Sequence, residues 1–134
     1  MRAVFLDNLT FSSNSSLVKV EQQVTKLTCY STTSSEQILE RCQDAEIIIT
    51  NKVVITAEIL AELPKLKLIC IAATGYNNVD IEAAKKLNIA VTNVSGYAGN
   101  SVAQYVLAQI LEYYQQTHHH NTNTEQGHWQ ISET

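Results

Sequence analysis

The stretch "LKLICIAATGYNNVDIEAAKKLNIAVTNV" (66–94) decides the fold. Its apolar start, 66–73, has the length and composition of a buried strand, and the pattern breaks at Gly75. Residues 79–87 predict a helix, because acidic side chains come early and lysines come late, as the helix dipole favours. A second strand-like run follows at 88–94. Strand, helix and strand in this order indicate a parallel βαβ unit.

The same alternation extends toward the N-terminus. Three further apolar runs predict strands at 2–6, 26–31 and 45–50. Hydroxyl or acidic start signals followed by helical spacing predict helices at 15–24, 34–43 and 57–63. The runs at 45–50 and 66–73 are apolar on both faces, which is typical of a sheet covered on both sides. The sequence therefore predicts an α/β fold with a five-stranded parallel sheet and flanking helices.

A long C-terminal helix is predicted over "NSVAQYVLAQILEYYQQT" (100–117), with Asn100 or Ser101 as its N-cap. Its apolar residues cover nearly the whole circumference: Val102, Tyr105, Val106, Leu107, Ile110, Leu111, Tyr113 and Tyr114. A helix that is apolar all round is buried on all sides, so this helix needs a second body to pack against. Residues 118–134 are polar and rich in turn formers.

Composition excludes several classes of function. The 134 residues are 45% hydrophobic and 16% charged, as expected of one folded domain with a real core. A net charge of −4 without a basic stripe argues against a nucleic acid partner. No apolar run reaches the roughly 18 residues of a membrane helix, and the N-terminal residues have the pattern of a strand, not of a signal peptide. We therefore expect a cytoplasmic protein.

The three cysteines, Cys29, Cys42 and Cys70, are odd in number and far apart. Two of them lie in apolar runs. We expect buried free thiols in a reducing compartment rather than disulfides or metal ligands.

Candidate binding residues follow the predicted strands, because ligands in open parallel sheets lie at the carboxyl ends of the strands. Three loops leave such ends with polar chemistry, at 50–53, 73–80 and 92–103. In the second loop, Thr74 and Gly75 offer backbone N–H groups near a helix start, which suits a carboxylate. Asn77 and Asn78 are expected to fix this loop. The alternative is an ordinary strand-to-helix turn.

Longer stretches around these loops resemble a known family. The segments "AATGYNNVDIEAAKKLNIAVTNVSGYAGNSVAQYVLAQIL" (72–111) and "ITNKVVITAEILAELPKLKLICIAATGYNNVD" (49–80) resemble the D-isomer-specific 2-hydroxyacid dehydrogenases. They are most similar to the glycerate dehydrogenase or hydroxypyruvate reductase branch. "EQGHWQ" (125–130) resembles the segment that precedes the cofactor domain in that family.

The resemblance implies two lobes. Residues 1–99 correspond to a flavodoxin-like substrate-binding lobe, 100–117 to a helix that crosses between the lobes and forms a homodimer, and 118–134 to a segment leading to a missing nucleotide-binding lobe. The parent enzyme would reduce a small 2-oxo acid, hydroxypyruvate or glyoxylate, with NAD or NADP as cofactor. The expected catalytic Arg, Glu and His are not in this chain, and it has no G-x-G-x-x-G. We expect the chain alone to be inactive and to bind the cofactor poorly.

Six residues match positions with known roles in the family. Asn51, Lys52, Thr74 and Gly75 match substrate-binding positions, and Ser101 and Val102 match positions that face the cofactor. From the residues alone, Lys52 can equally be a solvated surface lysine, and Ser101 a simple helix cap.

The rival hypothesis is a self-contained, non-catalytic flavodoxin-like binding or regulatory domain. A phosphorelay receiver needs an acidic cluster after the first strand, where this chain has only Asp7. A flavin carrier needs a phosphate loop, and "TFSSNSS" (10–16) lacks its usual glycine. We predict no metal site at His118–His120, because adjacent helical side chains point in different directions, and we regard His128 and Trp129 as a surface pair.

Overall fold

The computed structural model describes residues 1–11 and 17–128, and it divides the chain into two compact units, 1–95 and 96–134. The strands are β1 (Arg2–Phe5), β2 (Lys26–Cys29), β3 (Ile47–Thr50), β4 (Leu68–Ile71) and β5 (Ala90–Thr92). The helices are α1 (Val18–Glu21), α2 (Ile38–Cys42), α3 (Ala57–Ala61), α4 (Ile81–Lys86), α5 (Gly99–Gln115) and α6 (Thr117–Glu125). Short 3₁₀ turns cover Asn8–Thr10 and Ser35–Gln37.

The first unit is built on one sheet with strand order β2-β1-β3-β4-β5, in which every pairing is parallel. This order confirms the predicted flavodoxin-like α/β fold. The order reverses at β1, which lies between β2 and β3. Phe5, Ile49 and Cys70 are register partners, so the carboxyl ends of β1, β3 and β4 lie side by side.

The main core lies on one face of the sheet. Val4, Ile48 and Ile69 are register partners that point to this face, and Ile48 and Ile69 are fully buried. Residues of α2, α3 and α4 pack against them, including Ile38, Leu60 and Ala84. The other face is apolar as predicted, but it is less covered by the described residues, since Ile49, Leu68 and Cys70 are only half-buried.

Two helix starts agree with the sequence patterns. Thr56 accepts a hydrogen bond from the Ile59 N–H at 3.5 Å at the start of α3, and Asp80 accepts one from the Ala83 N–H at 2.9 Å at the start of α4. The predicted helix at 15–24 is limited to the four residues of α1 in the described part, and residues 12–16 lie outside it. The predicted helix at 34–43 begins as a 3₁₀ turn and becomes α-helical only at Ile38.

The cysteines differ in burial. All three thiols are free, as expected, and Cys42 is buried, but Cys70 is half-buried and Cys29 is exposed. The expectation of buried thiols is therefore wrong for Cys29, because β2 is an edge strand whose last residue has no further strand beside it.

The second unit contains α5 and α6. The predicted long helix is present, but Asn100 and Ser101 lie within its first turn and do not cap it. Its apolar side chains are present around the circumference, and each of the eight that the sequence singled out is at least 48% exposed in the single chain. None of the helices in the described residues has both the length and the hydropathy needed to cross a bilayer.

The polar segment after α5 is helical rather than turn-rich up to Glu125. Gln116 adopts a left-handed conformation, with φ of 47°, and separates the two helices. The Glu112 carboxylate then accepts hydrogen bonds from the Thr117 hydroxyl and from the His118 N–H, the latter at 3.0 Å. These bonds satisfy donors at the start of α6 and lower the pKa of Glu112. Residues 129–134 lie outside the described part.

Candidate functional site at the carboxyl edge of the sheet

The loops that follow β3 and β4 are hydrogen-bonded to each other. The Ala72 N–H donates to the Thr50 carbonyl at 2.8 Å, and the Ile55 N–H donates to the Asn78 carbonyl at 2.8 Å. Ile55 and Val79 also form an isolated parallel bridge. Two of the three predicted site loops therefore lie together at the carboxyl edge of the sheet, as the sequence predicted.

The loop after β4, which contains Thr74 and Gly75, is held at both of its flanks. The Asn93 side-chain amide donates to the Thr74 carbonyl at 2.8 Å, which ties this loop to the end of β5. The Asn78 side-chain amide donates to the Val53 carbonyl at 3.1 Å, so Asn78 does fix the loop as expected. Between these anchors, Thr74, Gly75, Tyr76 and Asn77 are all exposed.

The backbone N–H groups of Gly75, Tyr76 and Asn77 have no acceptor among the described residues. Three successive free N–H groups beside the start of α4 are suited to a carboxylate. Gly75 does not have a positive φ, and a Cβ placed on it would meet only the Asn77 side-chain oxygen, at 3.4 Å. The turn itself therefore accepts other residues at position 75.

The loop after β3, which contains Asn51 and Lys52, uses its own N–H groups internally. The Asp7 carboxylate accepts hydrogen bonds from the Asn51 N–H at 2.9 and 3.1 Å and from the Lys52 N–H at 2.7 Å. The next N–H, that of Val53, donates to the Thr50 hydroxyl at 3.0 Å. The side chains of Asn51 and Lys52 are therefore available to a ligand, whereas their backbone N–H groups are not.

The two side chains differ in exposure. Asn51 is half-buried, whereas Lys52 is exposed and has no ion pair with any described residue. A free ammonium at the edge that carries the three open N–H groups adds positive potential for an anion.

Asp7 is a residue whose role the sequence did not reveal. In the sequence it is only a single acidic residue after the first strand. In the structure it is 4% exposed, and both of its carboxylate oxygens accept backbone N–H groups. This arrangement does not present a free oxygen to a phosphoryl donor. The sequence signal for this role is that Asp7 directly follows an apolar strand. The structure adds that the strand order reverses at this strand.

A groove of about 410 Å³ lies beside Asp7 at this reversal point. Its lining is formed by Thr10, Thr32, Thr33, Ser35, Ile38, Val53 and Val54 together with Asp7 and Lys52. Arg41 donates to the Thr32 carbonyl at 2.6 Å and stacks over the Tyr30 ring at 4.0 Å. Arg2 pairs with Asp44 at 3.0 Å near the amino ends of the strands. Both guanidinium groups thus have structural partners away from the loop at Gly75.

The two positions predicted to face a cofactor lie in the second unit. Ser101 and Val102 are exposed residues of the first turn of α5, and the Val102 N–H donates to the Ala98 carbonyl at 2.9 Å. The whole sequence has four glycines, Gly75, Gly96, Gly99 and Gly127, and they do not form the pyrophosphate-binding pattern. The residues of this chain therefore do not fit a complete dinucleotide site.

The remaining polar features have local partners. His119 contacts Asn123 at 3.1 Å and the ring of His120 at a centroid distance of 5.8 Å, and the described residues contain no group of three potential metal ligands. The Thr10 hydroxyl donates to the Asp7 carbonyl at 2.7 Å. The rest of the serine-rich stretch, 12–16, lies outside the described residues, as does Trp129.

This fold and site define a flavodoxin-like lobe with an exposed loop at its carboxyl edge whose backbone N–H groups at Gly75, Tyr76 and Asn77 are open. The sequence model described as D-isomer specific 2-hydroxyacid dehydrogenase, catalytic domain, matches residues 4–133. The chain therefore belongs to this family, which confirms the resemblance.

Curated relatives agree with the family. The chain is 46% identical over 111 residues to a putative 2-hydroxyacid dehydrogenase of Haemophilus influenzae, covering 83% of this chain and 35% of the relative. It is 36% identical over 100 residues to a hydroxypyruvate reductase of Blautia hydrogenotrophica, covering 75% and 31%. It is 47% identical over 81 residues to a glycerate dehydrogenase of Methylorubrum extorquens, covering 60% and 26%. The chain thus spans about a third or less of the length of these relatives.

Solved structures agree with the fold. An acyclic imino acid reductase in complex with NADPH and D-Arg superposes with a TM-score of 0.81 at 20% identity, covering 99% of this chain and 43% of that one. The cofactor-bound 3-phosphoglycerate dehydrogenase of Entamoeba histolytica, which holds NAD⁺, superposes with a TM-score of 0.69 at 28% identity, covering 84% and 38%. These two solved structures hold NADPH and NAD⁺, respectively.

Proposed function

We propose that this chain is the substrate-binding part of a D-2-hydroxyacid dehydrogenase whose parent reduces hydroxypyruvate or glyoxylate in the cytoplasm. The observation that carries the proposal is the row of open N–H groups at Gly75, Tyr76 and Asn77, held between the anchors at Thr74 and Asn78. The similarity to a hydroxypyruvate reductase and a glycerate dehydrogenase supports this choice of acid.

In this proposal the substrate carboxylate accepts hydrogen bonds from the N–H groups of Gly75 and its two successors. Charge-assisted hydrogen bonds of this kind are short and directional, so they orient the 2-oxo carbon as well as hold it. The Lys52 ammonium attracts the acid toward the same edge, and the Asn51 side chain is available to a polar group of the substrate. Because Gly75 has no side chain, an oxygen can approach the N–H groups closely.

The nicotinamide cofactor supplies the hydride in such enzymes, and this chain has no G-x-G-x-x-G pattern for its pyrophosphate. We assign residues 1–99 to the substrate lobe, 100–117 to the inter-lobe helix and 118–134 to the connection to a nucleotide-binding lobe. Ser101 and Val102 would face the NAD or NADP from the start of the inter-lobe helix. The expected Arg, Glu and His would come from outside this chain, so the chain alone would be inactive.

We also propose that α5 forms a homodimer. Tyr105, Ile110 and Leu111 are all at least 48% exposed, as are the other large apolar side chains of this helix, and isolated domains rarely expose large contiguous apolar patches. Association of two copies would remove this surface from water.

The test of the substrate site is a titration of the ¹⁵N-labelled 134-residue chain with D-glycerate, followed by NMR. Saturable shifts should be largest at Gly75, Tyr76 and Asn77. In Gly75→Val the affinity should fall at least tenfold, because the valine side chain obstructs the approach of the carboxylate, while the fold is kept because the position tolerates a Cβ. The control is Ala61→Val, which introduces the same side chain at an exposed position of α3. Equal affinity in Gly75→Val and the unmodified chain would refute the proposed site.

A further inference from the structure

The turn that follows β3 has the form of an anion site that is already filled. Asn51 and Lys52 direct two successive N–H groups at one carboxylate, that of Asp7, at distances of 2.7 to 3.1 Å. Successive N–H groups of this kind form a concavity that binds anions in many proteins. The anion here comes from the chain itself, 44 residues upstream of Asn51.

Among the described residues, the Asp7 carboxylate accepts hydrogen bonds only from these N–H groups. Asp7 is 4% exposed, and no Lys, Arg or His among the described residues forms an ion pair with it. Removing the Asp7 carboxylate would leave the part-buried N–H groups of Asn51 and Lys52 without an acceptor among the described residues, which is costly.

The filled turn lies beside the open one. The Thr50 carbonyl accepts the Ala72 N–H at 2.8 Å, so the turn at Asn51 and the loop at Gly75 leave neighbouring strands at the same edge. Both offer successive N–H groups to a carboxylate. The difference is that one set is occupied by Asp7 and the other has no acceptor among the described residues.

We propose that Asp7 is a specificity-determining positioning residue: its carboxylate occupies the site in the β3–α3 turn and thereby directs the carboxylate of an incoming acid to Gly75–Asn77. The occupied site follows from the contacts of Asp7, whereas the directing role rests on the proposed function. Asp7 also holds the segment that carries the Lys52 side chain, so it determines where that ammonium is presented.

The test uses the full 134-residue chain and sodium acetate as the probe. In Asp7→Ala, amide exchange at Asn51 and Lys52 should accelerate at least tenfold, and acetate should shift both amides saturably and restore most of their protection. In the unmodified chain acetate should leave both amides unchanged. Asp44→Ala, which removes an exposed carboxylate near the amino ends of the strands, should behave as the unmodified chain.

A second variant distinguishes removal of the Asp7 carboxylate from loss of the fold. Asp7→Asn fills the same space, so exchange at Asn51 and Lys52 should accelerate without rescue by acetate. Unchanged protection in either variant, or rescue that is equal in Asp44→Ala, would overturn the proposal. Unfolding of both variants would also overturn it, because an occupant of a preformed site can be removed without losing the strands around it.

The directing role has its own readout. With D-glycerate, Asp7→Ala should show shifts at Asn51 and Lys52 in addition to those at Gly75–Asn77, and shifts confined to Gly75–Asn77 would refute that role. If D-glycerate shifts neither set in the unmodified chain, the proposed function fails, while the acetate result still decides whether Asp7 fills an anion site.

Discussion

Asn78 joins two loops through a single side chain: its amide donates to the Val53 carbonyl at 3.1 Å, across 25 residues of sequence. The backbone carbonyl of Asn78 accepts a hydrogen bond from the Ile55 N–H at 2.8 Å. The end of the loop that contains Gly75 is therefore tied to the loop after β3, even though the tip of this loop is exposed.

Replacing Asn78 by Ala should therefore loosen the loop. The loss of one partly buried hydrogen bond should lower the free energy of unfolding by about 0.5–1.5 kcal/mol. Binding of D-glycerate should weaken as well, because the N–H groups at Gly75 to Asn77 would no longer be held in one arrangement. Urea unfolding and NMR titration measure the two effects. Asn121→Ala, at an exposed position of α6, serves as the control, and the same affinity in both variants would contradict the role of Asn78.

The unmodified chain should show no dehydrogenase activity. Its sequence has no G-x-G-x-x-G, and the structure places Arg2 and Arg41 with other partners. The measurement is oxidation of NADH or NADPH in the presence of hydroxypyruvate and of glyoxylate, followed by absorbance. Turnover above the enzyme-free rate that persists through a second purification step would disprove this expectation.

Two lysines in α5 should abolish self-association. Leu107 and Leu111 are 58% and 60% exposed, and full burial of such a side chain stabilises an interface by roughly 1.5–3 kcal/mol. We expect the unmodified chain to dimerise with rising concentration and Leu107→Lys/Leu111→Lys to stay monomeric, as measured by light scattering. Gln104→Lys/Gln115→Lys adds the same charge to the same helix and should leave most of the association intact. A monomeric unmodified chain at high concentration would argue for the rival, self-contained domain.

Alkaline pH should destabilise the fold partly through Cys42. Desolvation by burial raises the pKa of this thiol from 9.0 to about 11. Because the folded pKa lies above the unfolded one, the stabilisation is complete below pH 9 and is lost as the pH rises to about 11. Urea unfolding between pH 8 and 11 should show a shallower decline in Cys42→Ala than in the unmodified chain. The control is Cys29→Ala, which removes an exposed thiol and should retain more of the decline in the free energy of unfolding. Parallel curves for all three proteins would rule out a contribution of Cys42.

The sequence predicted the sheet because its signals are local. Apolar runs, the cap at Thr56 and the charge order along α4 each act within a few residues, and they agree with the structure. The predicted helix at 79–87 is shorter in the structure, where Asp80 caps it and α4 begins at Ile81. Helix α6 was not predicted because its sequence has no apolar periodicity. It begins where the Glu112 carboxylate accepts the Thr117 hydroxyl and the His118 N–H, directly after the left-handed residue Gln116.

The candidate site was predicted only in part. Thr74 and Gly75 could be named as candidates because a strand, a glycine and a helix start follow one another in sequence. The contact of Asp7 with Asn51 and Lys52 was not found, since it depends on the pairing register of β1 and β3 across 44 residues. Sequence patterns indicate which residues follow a strand. They do not indicate whether the backbone N–H groups of those residues already donate hydrogen bonds to a side chain that follows a neighbouring strand.

The bridge between Ile55 and Val79 limits how the chain can change in length. Surface loops usually accept insertions. Here, however, hydrogen bonds join the segment from Thr50 to Ile55 with the segment from Ile71 to Val79 at both ends. An added residue between Thr50 and Ile55 would have to be absorbed without breaking this pairing, whereas the longer segment has an exposed tip, 74–77, that can take one up. Homologous chains should therefore keep the spacing from Thr50 to Ile55 more constant than the spacing from Ile71 to Val79.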